Sequence, residues 1–216
     1  MTKTDGPEIH RCEQGSEEWR ALRLGLPTAS NFQKLMADSK EKKGRRTYLL
    51  QLLGEQMTGE SMETYSNEHM EHGKEIEPEL RARYAFEHGA DIDLVGFIRD
   101  ISLNAGCSPD GLIGDDGMVE CKRALPHLLI EAIVADEVPS KYVAQCQGNL
   151  WIARRRWIDL VMGYIPQPAE GAQRRPMPLF VKRVHRDEEY IRLLARQVAD
   201  FNIEMRHTLR QVKAIV

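Results

Sequence analysis

"CSPDGLIGDDGMVECKR", residues 107–123, sets Asp110 ahead of a turn flanked by glycines and puts Glu120 and Lys122 two residues apart beyond it. Apolar residues on either side of "GDDG" predict a β-hairpin. Two registers are open. A loop of Asp115 and Asp116 alone pairs Gly114 with Gly117 and sets Asp110 opposite Cys121. A three-residue loop ending on Gly117 in the left-handed position of a bulge pairs Gly114 with Met118. Leu112 then faces Glu120, and Asp110 faces Lys122. The sequence supplies the glycine that this second register needs, so it is the expected one. Side chains alternate along a strand, and Asp110, Leu112, Glu120 and Lys122 then share one face.

Charges gathered on a hairpin face can be solvent decoration, with Asp110 and Glu120 salt-bridged to Lys122 for about 0–1 kcal/mol. However, Leu112, Ile113, Met118 and Val119 suit a strand pair inside a central sheet. There, two carboxylates repel unless a cation joins them. Hard oxygen ligands of this kind suit Mg²⁺ or Mn²⁺. A lysine one pleat away can orient a water and balance charge developing on a phosphorus centre.

Outward from the hairpin, "DIDLVGFIRD", "LNAGCSPDGLIG", "MVECKRA" and "RWIDLVMGYI" read as short strands, and "PLFVKRV" as a last one. "PHLLIEAIVA" and "SKYVAQCQGNLWIARR" read as helices between the third and fourth. On the N-terminal side, "GSEEWRALRLGLPTASNFQKLMA" opens with Ser16 as an N-cap. Trp19, Leu22 and Leu26 sit at helical spacing, Pro27 breaks the helix, and Thr28 or Ser30 starts the next. "SKEKKGRR" reads as a basic loop before the helical "RTYLLQLLGEQMTG". "SNEHMEHGKEIEPELRARYAFEHG" reads as a helix stopped at Gly89, with Pro78 either a break or a first-turn proline. Tyr190, Leu194, Val198, Phe201, Met205, Leu209 and Val212 recur at steps of three and four along a final helix, whose apolar face is expected to cover the chain's own sheet. The expectation is one α/β domain over residues 1–216, with a core of about 14–165 and a C-terminal strand and helix at 178–214.

The 216 residues suffice for one sizeable core. Hydrophobic residues at 42% and charged residues at 29% exclude a disordered or membrane-embedded chain. No apolar run nears the roughly 18 residues of a spanning helix, and "MTKTDGPEIHRCEQGSEEWR" has no apolar signal core, so a cytoplasmic location is expected. Cys12, Cys107, Cys121 and Cys146 lie too far apart for the usual spacing of an iron–sulfur motif and read as reduced thiols. The net charge of −3 argues against a protein that holds DNA by bulk attraction.

Together with its flanks, "SPD…ECK" resembles the PD-(D/E)xK nuclease signature, with Pro109-Asp110 and Glu120-Cys121-Lys122 in its positions. "QGSEEWRALRLGLPTAS" (Gln14–Ser30), "HGKEIEPELRARY" (His72–Tyr84) and "YVAQCQGNLW" (Tyr142–Trp151) resemble, in order, blocks of the phage lambda exonuclease, or YqaJ-like viral recombinase, family. The resemblance runs from about Gln14 to Tyr164. It implies a restriction-endonuclease-like fold, a central mixed β-sheet flanked by helices. The implied activity is a metal-dependent 5′→3′ exonuclease on duplex DNA ends, with Mg²⁺ or Mn²⁺ as two ions per site.

The site residues follow from the same resemblance. Asp110, Glu120 and the main-chain carbonyl of Cys121 would bind metal, and Lys122 would position the water. Glu77, rather than Glu75 or Glu79, would complete the acidic cluster. Arg23, Ser30, Ser108 and Gln145 would hold a 5′-terminal phosphate; paired guanidinium donors and N–H groups at a helix start suit a dianion. Pro27 departs from the pattern just before "TAS". A homotrimeric ring around DNA is implied, which keeps its substrate by topology despite the net charge, and a single-strand annealing protein is the implied partner. An endonuclease of the same fold and a non-catalytic DNA-end-binding protein are the alternatives. Trp19 and Trp151 read as core residues. The basic stretches Lys40–Arg46 and Ala153–Trp157 read as possible backbone contacts, and His72 and His127 as structural or exposed.

Overall fold

The computed structural model describes residues 6–36, 42–62, 68–166 and 177–215, with the backbone alone at 42 and 68–75. The chain runs β1 (Glu8–His10), α1 (Glu17–Arg23), a 3-10 turn (Ala29–Asn31), α2 (Gln33–Met36), α3 (Lys42–Thr58) and α4 (Glu68–His88). It continues with β2 (Phe97–Asp100), β3 (Ala105–Cys107), β4 (Gly111–Ile113), β5 (Gly117–Arg123), α5 (Pro126–Ala135) and α6 (Ser140–Ile152). It ends with β6 (Trp157–Gly163), β7 (Phe180–His185) and α7 (Glu188–Lys213). The expected mixed α/β architecture is present.

The strands form two sheets, an antiparallel β1-β2-β3 and a mixed β4-β5-β6-β7. β5 and β6 run parallel, joined by the crossover through α5 and α6. The stretch read as one strand, "LNAGCSPDGLIG", is therefore two. Its halves β3 and β4 belong to different sheets, and Ser108, Pro109 and Asp110 connect them.

Alternation decides what covers each face of the larger sheet. Leu112, Met118, Ile158, Leu160 and Met162 point into the main core, together with Leu150 and Ile152 of α6. Val119, Cys121 and Val161 point the other way and bury Ile76, Leu80 and Tyr84 of α4. Each such apolar side chain contributes about 1.5–3 kcal/mol. The buried Asp159 carboxylate pins this second layer: it accepts from the Tyr84 hydroxyl at 2.6 Å and from Arg183 at 2.8 and 2.9 Å. Desolvation and the Asp159 charge push the Tyr84 hydroxyl above its ordinary pKa.

Several local expectations hold. Ser16 caps α1 by accepting from the Trp19 N–H at 3.2 Å. Gly89 ends α4 at φ +61°. Four others need correction. Pro78 lies inside α4, where neighbouring turns and packing carry the helix past its missing N–H. α1 ends at Arg23 and the chain turns at Gly25 (φ +64°), before Pro27 can act. Lys42–Arg46 begin α3 rather than a loop, and Arg45 and Arg46 pair with Glu204 of α7; Lys40 and Glu41 lie outside the described residues. The apolar face of α7 (Leu194, Val198, Phe201, Met205) is buried as expected, but against α2, α3 and α6 rather than the sheet. No helix among the described residues is long and apolar enough to cross a membrane.

Candidate active site

The hairpin register differs from both sequence-based options. Gly111 pairs with Val119, Leu112 with Met118 and Ile113 with Gly117, leaving a loop of Gly114, Asp115 and Asp116. The left-handed glycine is Gly114 (φ +52°). Gly117 is small for another reason: a Cβ there would stand 2.1 Å from the Trp157 ring. The ladder breaks at Asp110, whose own N–H turns to the Val119 carbonyl beside Gly111, a bulge-like step that pairs it with neither Lys122 nor Cys121 in the ladder. The displacement from the favoured register is two residues, and a two-residue slip keeps every side chain on its own face. Leu112, Glu120 and Lys122 therefore do share a face, and Asp110 reaches the group from the edge of β5.

β4 pairs with β5 no further than Val119, so the edge of β5 from Glu120 onward is open on that side. Asp110 sits at this opening. Its N–H donates to the Val119 carbonyl at 3.1 Å, and its Oδ2 accepts the Cys121 N–H at 2.6 Å. The N–H and C=O of one residue leave an extended strand on the same side. The Cys121 carbonyl thus faces Asp110.

Glu120, 3% exposed, is held from three directions. Its Oε1 accepts from Lys122 Nζ at 2.7 Å and from Gln145 Nε2 at 2.5 Å, and its Oε2 from Asn149 Nδ2 at 3.0 Å. Tyr142, Gln145 and Asn149 stand at steps of three and four, so one stripe of α6 meets the β5 edge. Lys122 Nζ also lies 5.9 Å from the centre of the Tyr142 ring.

Electrostatics bind the acidic residues into one cluster. Burial, then the charges of Glu120 and Glu77, hold the Asp110 carboxyl well above the usual carboxylate range, against the pull of Lys122. Burial pulls the Lys122 ammonium down, but Glu120, Asp110 and Glu77 together carry it above the ordinary lysine value. Glu77, half-buried on α4, is thus the α4 glutamate that these groups feel; Glu79 is exposed, and the Glu75 side chain lies outside the described residues. Among the described residues, no three His, Cys, Asp or Glu side chains are gathered closely enough to hold a metal as they stand. The donor set nonetheless fits a hard divalent cation. Asp110, Glu120, Glu77 and the Cys121 carbonyl offer oxygen, and a cation would offset the burial and the two neighbouring negative charges that raise the Asp110 carboxyl.

Arg23 and Ser108 form a second group beside the first. Arg23 Nη1 donates to Ser108 Oγ at 3.3 Å, and its guanidinium lies 4.0 Å above the Trp19 ring. Trp19 donates Nε1–H to Ser108 Oγ at 3.0 Å and to the Gly96 carbonyl at 3.1 Å. Gln14 holds the Pro109 carbonyl at 3.0 Å. Buried Cys107 lies within range of both groups: burial and Glu120 push its thiol up while Arg23 pulls it down.

The remaining predicted contacts are placed differently. Gln145 is bonded to Glu120. Ser30 is exposed and shares a 3.2 Å contact with Thr28, in a 3-10 turn of three residues, too short to contribute a helix dipole. Trp19, read as core, is core and also the shelf under Arg23. Arg154, Arg155 and Arg156 are engaged with Asp100, with the Gly114 and Gly117 carbonyls, and with Asp116, which argues against a DNA-contact role. His127 is exposed, and the His72 side chain lies outside the described residues. The four cysteines are free. Asn149 and Gln14 were missed because an amide partner is invisible until helix and strand meet. The i, i+4 spacing of Gln145 and Asn149 was the available signal. A cavity of about 410 Å³ lined by His88, Trp157 and Arg183 lies toward the other end of α4 from Glu77.

Compared with known proteins, residues 18–156 match the YqaJ-like viral recombinase domain family. None of the curated proteins compared matches the chain. An alkaline exonuclease from Laribacter hongkongensis, solved alone and in complex with dAMP, is similar at 32% identity and a TM-score of 0.81, covering 92% of this chain and 97% of that one. A phage related exonuclease from Haemophilus somnus is similar at 12% identity and a TM-score of 0.63, over 88% and 96% of the two chains, a likeness of fold alone.

Proposed function

This chain belongs to the YqaJ-like viral recombinase domain family, and on that premise we propose that it is a DNA exonuclease. In its finer form, the reading is a divalent-metal-dependent 5′→3′ exonuclease. It degrades one strand of linear duplex DNA from its end and leaves a 3′ single strand for recombination. The observation that carries this is the gathering of buried Asp110 and Glu120 at the open edge of β5, with Asp110 bonded to the Cys121 N–H, Lys122 bonded to Glu120, and Arg23 bonded to Ser108 two residues before Asp110. The Laribacter relative, an alkaline exonuclease, supports the reaction class.

Asp110, Glu120, Glu77 and the Cys121 carbonyl would hold Mg²⁺ or Mn²⁺, two ions in the full reading. When bound, such ions supply a nucleophilic hydroxide at neutral pH and stabilise the departing 3′-oxygen. Lys122 keeps its proton, donates to Glu120 and presents positive charge where the phosphorane gains negative charge. Gln145 and Asn149 fix the Glu120 carboxylate, and Gln14 fixes the peptide that carries Asp110. Arg23, stacked on Trp19, would hold the terminal 5′-phosphate together with Ser108, Ser30 and Gln145, so that the scissile bond is the one beside the acidic cluster. The ring-shaped trimer and the single-strand annealing partner belong to the same reading. A net charge of −3 accords with retaining DNA by encirclement.

The test compares 5′-phosphorylated linear duplex with closed circular duplex, in Mg²⁺ and in EDTA, for the native chain and Lys122→Ala. Loss of linear DNA alone, with metal alone, and a dead variant are expected. Cleavage of the circle would replace the exonuclease by an endonuclease of the same fold. No cleavage of either DNA would leave an end-binding protein.

A further inference from the structure

The segment from Arg23 to Ser30 is fixed from one side by α3. The Gly25 N–H donates to Glu55 Oε2 at 2.8 Å, the Gly25 carbonyl accepts from Gln56 Nε2 at 2.8 Å, and the Thr28 N–H donates to the Tyr48 hydroxyl at 3.0 Å. The tightest point is Gly25 itself. It closes the turn in which the Leu26 N–H returns to the Arg23 carbonyl at 3.0 Å, and a Cβ there would stand 2.2 Å from the Gln56 side chain.

We propose that Glu55 is a positioning residue for the terminal-phosphate pocket: by holding the Gly25 peptide it fixes where α1 ends and hence how far Arg23 reaches toward Ser108. This rests on the reading of Arg23 and Ser108 as that pocket. Glu55 is 6% exposed, and a carboxylate is costly there unless its oxygens are satisfied. Both are: Oε2 takes the Gly25 N–H, and Oε1 takes the Met62 N–H at 2.9 Å. An N–H turned inward at a left-handed glycine needs such an acceptor. The same carboxylate therefore joins the turn behind Arg23 to the chain leaving α3. Glutamine at this position keeps the length but offers one oxygen for two N–H donors and turns an NH₂ toward the other.

The experiment measures kcat/KM of the full chain on linear duplex ending in a 5′-phosphate or a 5′-hydroxyl, for the native chain, Glu55→Gln and Gln56→Ala. Glu55→Gln is expected to lower the phosphate-to-hydroxyl ratio roughly tenfold, mainly through KM on the phosphorylated end, with the hydroxyl-end value within about twofold of native. Gln56→Ala, an exposed change at the other side of the same peptide, is expected to lower the ratio less and leave the melting temperature unchanged. Equal proportional losses on both ends would mean that Glu55 serves the fold alone, and would overturn the proposal. An unchanged ratio in Glu55→Gln overturns it as well. If Glu55→Gln does not fold, an unchanged ratio in Gln56→Ala overturns it. A native chain indifferent to the 5′ group removes the phosphate pocket itself, a failure visible before any variant is made.

Discussion

Replacing Asn149 by alanine should separate the orientation of Glu120 from the stability of the fold. Asn149 is 1% exposed and donates Nδ2–H to Glu120 Oε2 at 3.0 Å. Glu120 can only accept there, which fixes the amide orientation and leaves Asn149 Oδ1 buried with no hydrogen-bond partner among the described residues. A hydrogen bond to a charged group is worth about 1.5–3 kcal/mol, and an unpartnered buried polar atom costs about 1–3 kcal/mol. Alanine loses the first and escapes the second, with about 1 kcal/mol more for the small cavity. The net destabilisation is about 1 kcal/mol, a shift of about 2–4 °C in a domain of this size. The activity has no such compensation, because Glu120 keeps Lys122 and Gln145 on one oxygen and loses the donor that orients the other. A fall of about tenfold to a hundredfold is expected, as for a misplaced catalytic group. Urea unfolding followed by tryptophan fluorescence and initial rates on linear duplex give the two numbers. A stability loss above about 3 kcal/mol would refute the argument by showing that Oδ1 is satisfied in solution. An unchanged rate would show that α6 does not orient Glu120.

Two further outcomes are expected. Gly117→Ala should cost about 1–3 kcal/mol through overpacking against Trp157, and Gly114→Ala about 1–2 kcal/mol through its left-handed backbone, as read by urea unfolding. If Trp157 fluorescence and stability are untouched in Gly117→Ala, the packing reason for that glycine is wrong. The second outcome concerns pH. Burial pushes the Asp100 carboxyl up, but bonds from Ser102, Leu103 and Arg154 outweigh it and leave its pKa below the ordinary value. A depressed folded pKa adds stability above the unfolded value of about 3.9, and that stability is lost as pH falls through the folded value. Asp100→Asn should therefore be less stable than the native chain near neutrality, with the gap closing below about pH 4. A gap independent of pH would remove the charge from the explanation.

The shared face of Leu112, Glu120 and Lys122 was legible because strand alternation is a local property that survives even a two-residue error in pairing. The partner of Asp110 was not legible, because Gly114 and Gly117 are equally good turn residues on paper. Which one needs a left-handed backbone and which one makes room for Trp157 depends on β6, some forty residues later. Glu77 is the α4 glutamate whose charge acts on Asp110 and Lys122, and its choice over Glu79 rested on the resemblance rather than on any spacing. The bond from Gln145 to Glu120 was not legible, since it turns on how α6 lies along the edge of β5. Gln14 and Glu55 were invisible for the same reason: an amide or carboxylate that serves another residue's geometry carries no spacing of its own, and Asn149 left only its i, i+4 spacing from Gln145.

The link Ser108-Pro109-Asp110 between the two sheets has a mechanical consequence. A chain advances at most about 3.3–3.6 Å per residue, and a proline in the middle stiffens the span. The pocket proposed to grip the end of the strand and the carboxylate proposed to cut it are thus mounted on one short, inextensible ruler. The spacing between grip and cut cannot drift as the sheets breathe against each other. Lengthening the link by a single residue would let the two sites proposed for holding and cutting the strand stand further apart, by up to about 3.3–3.6 Å.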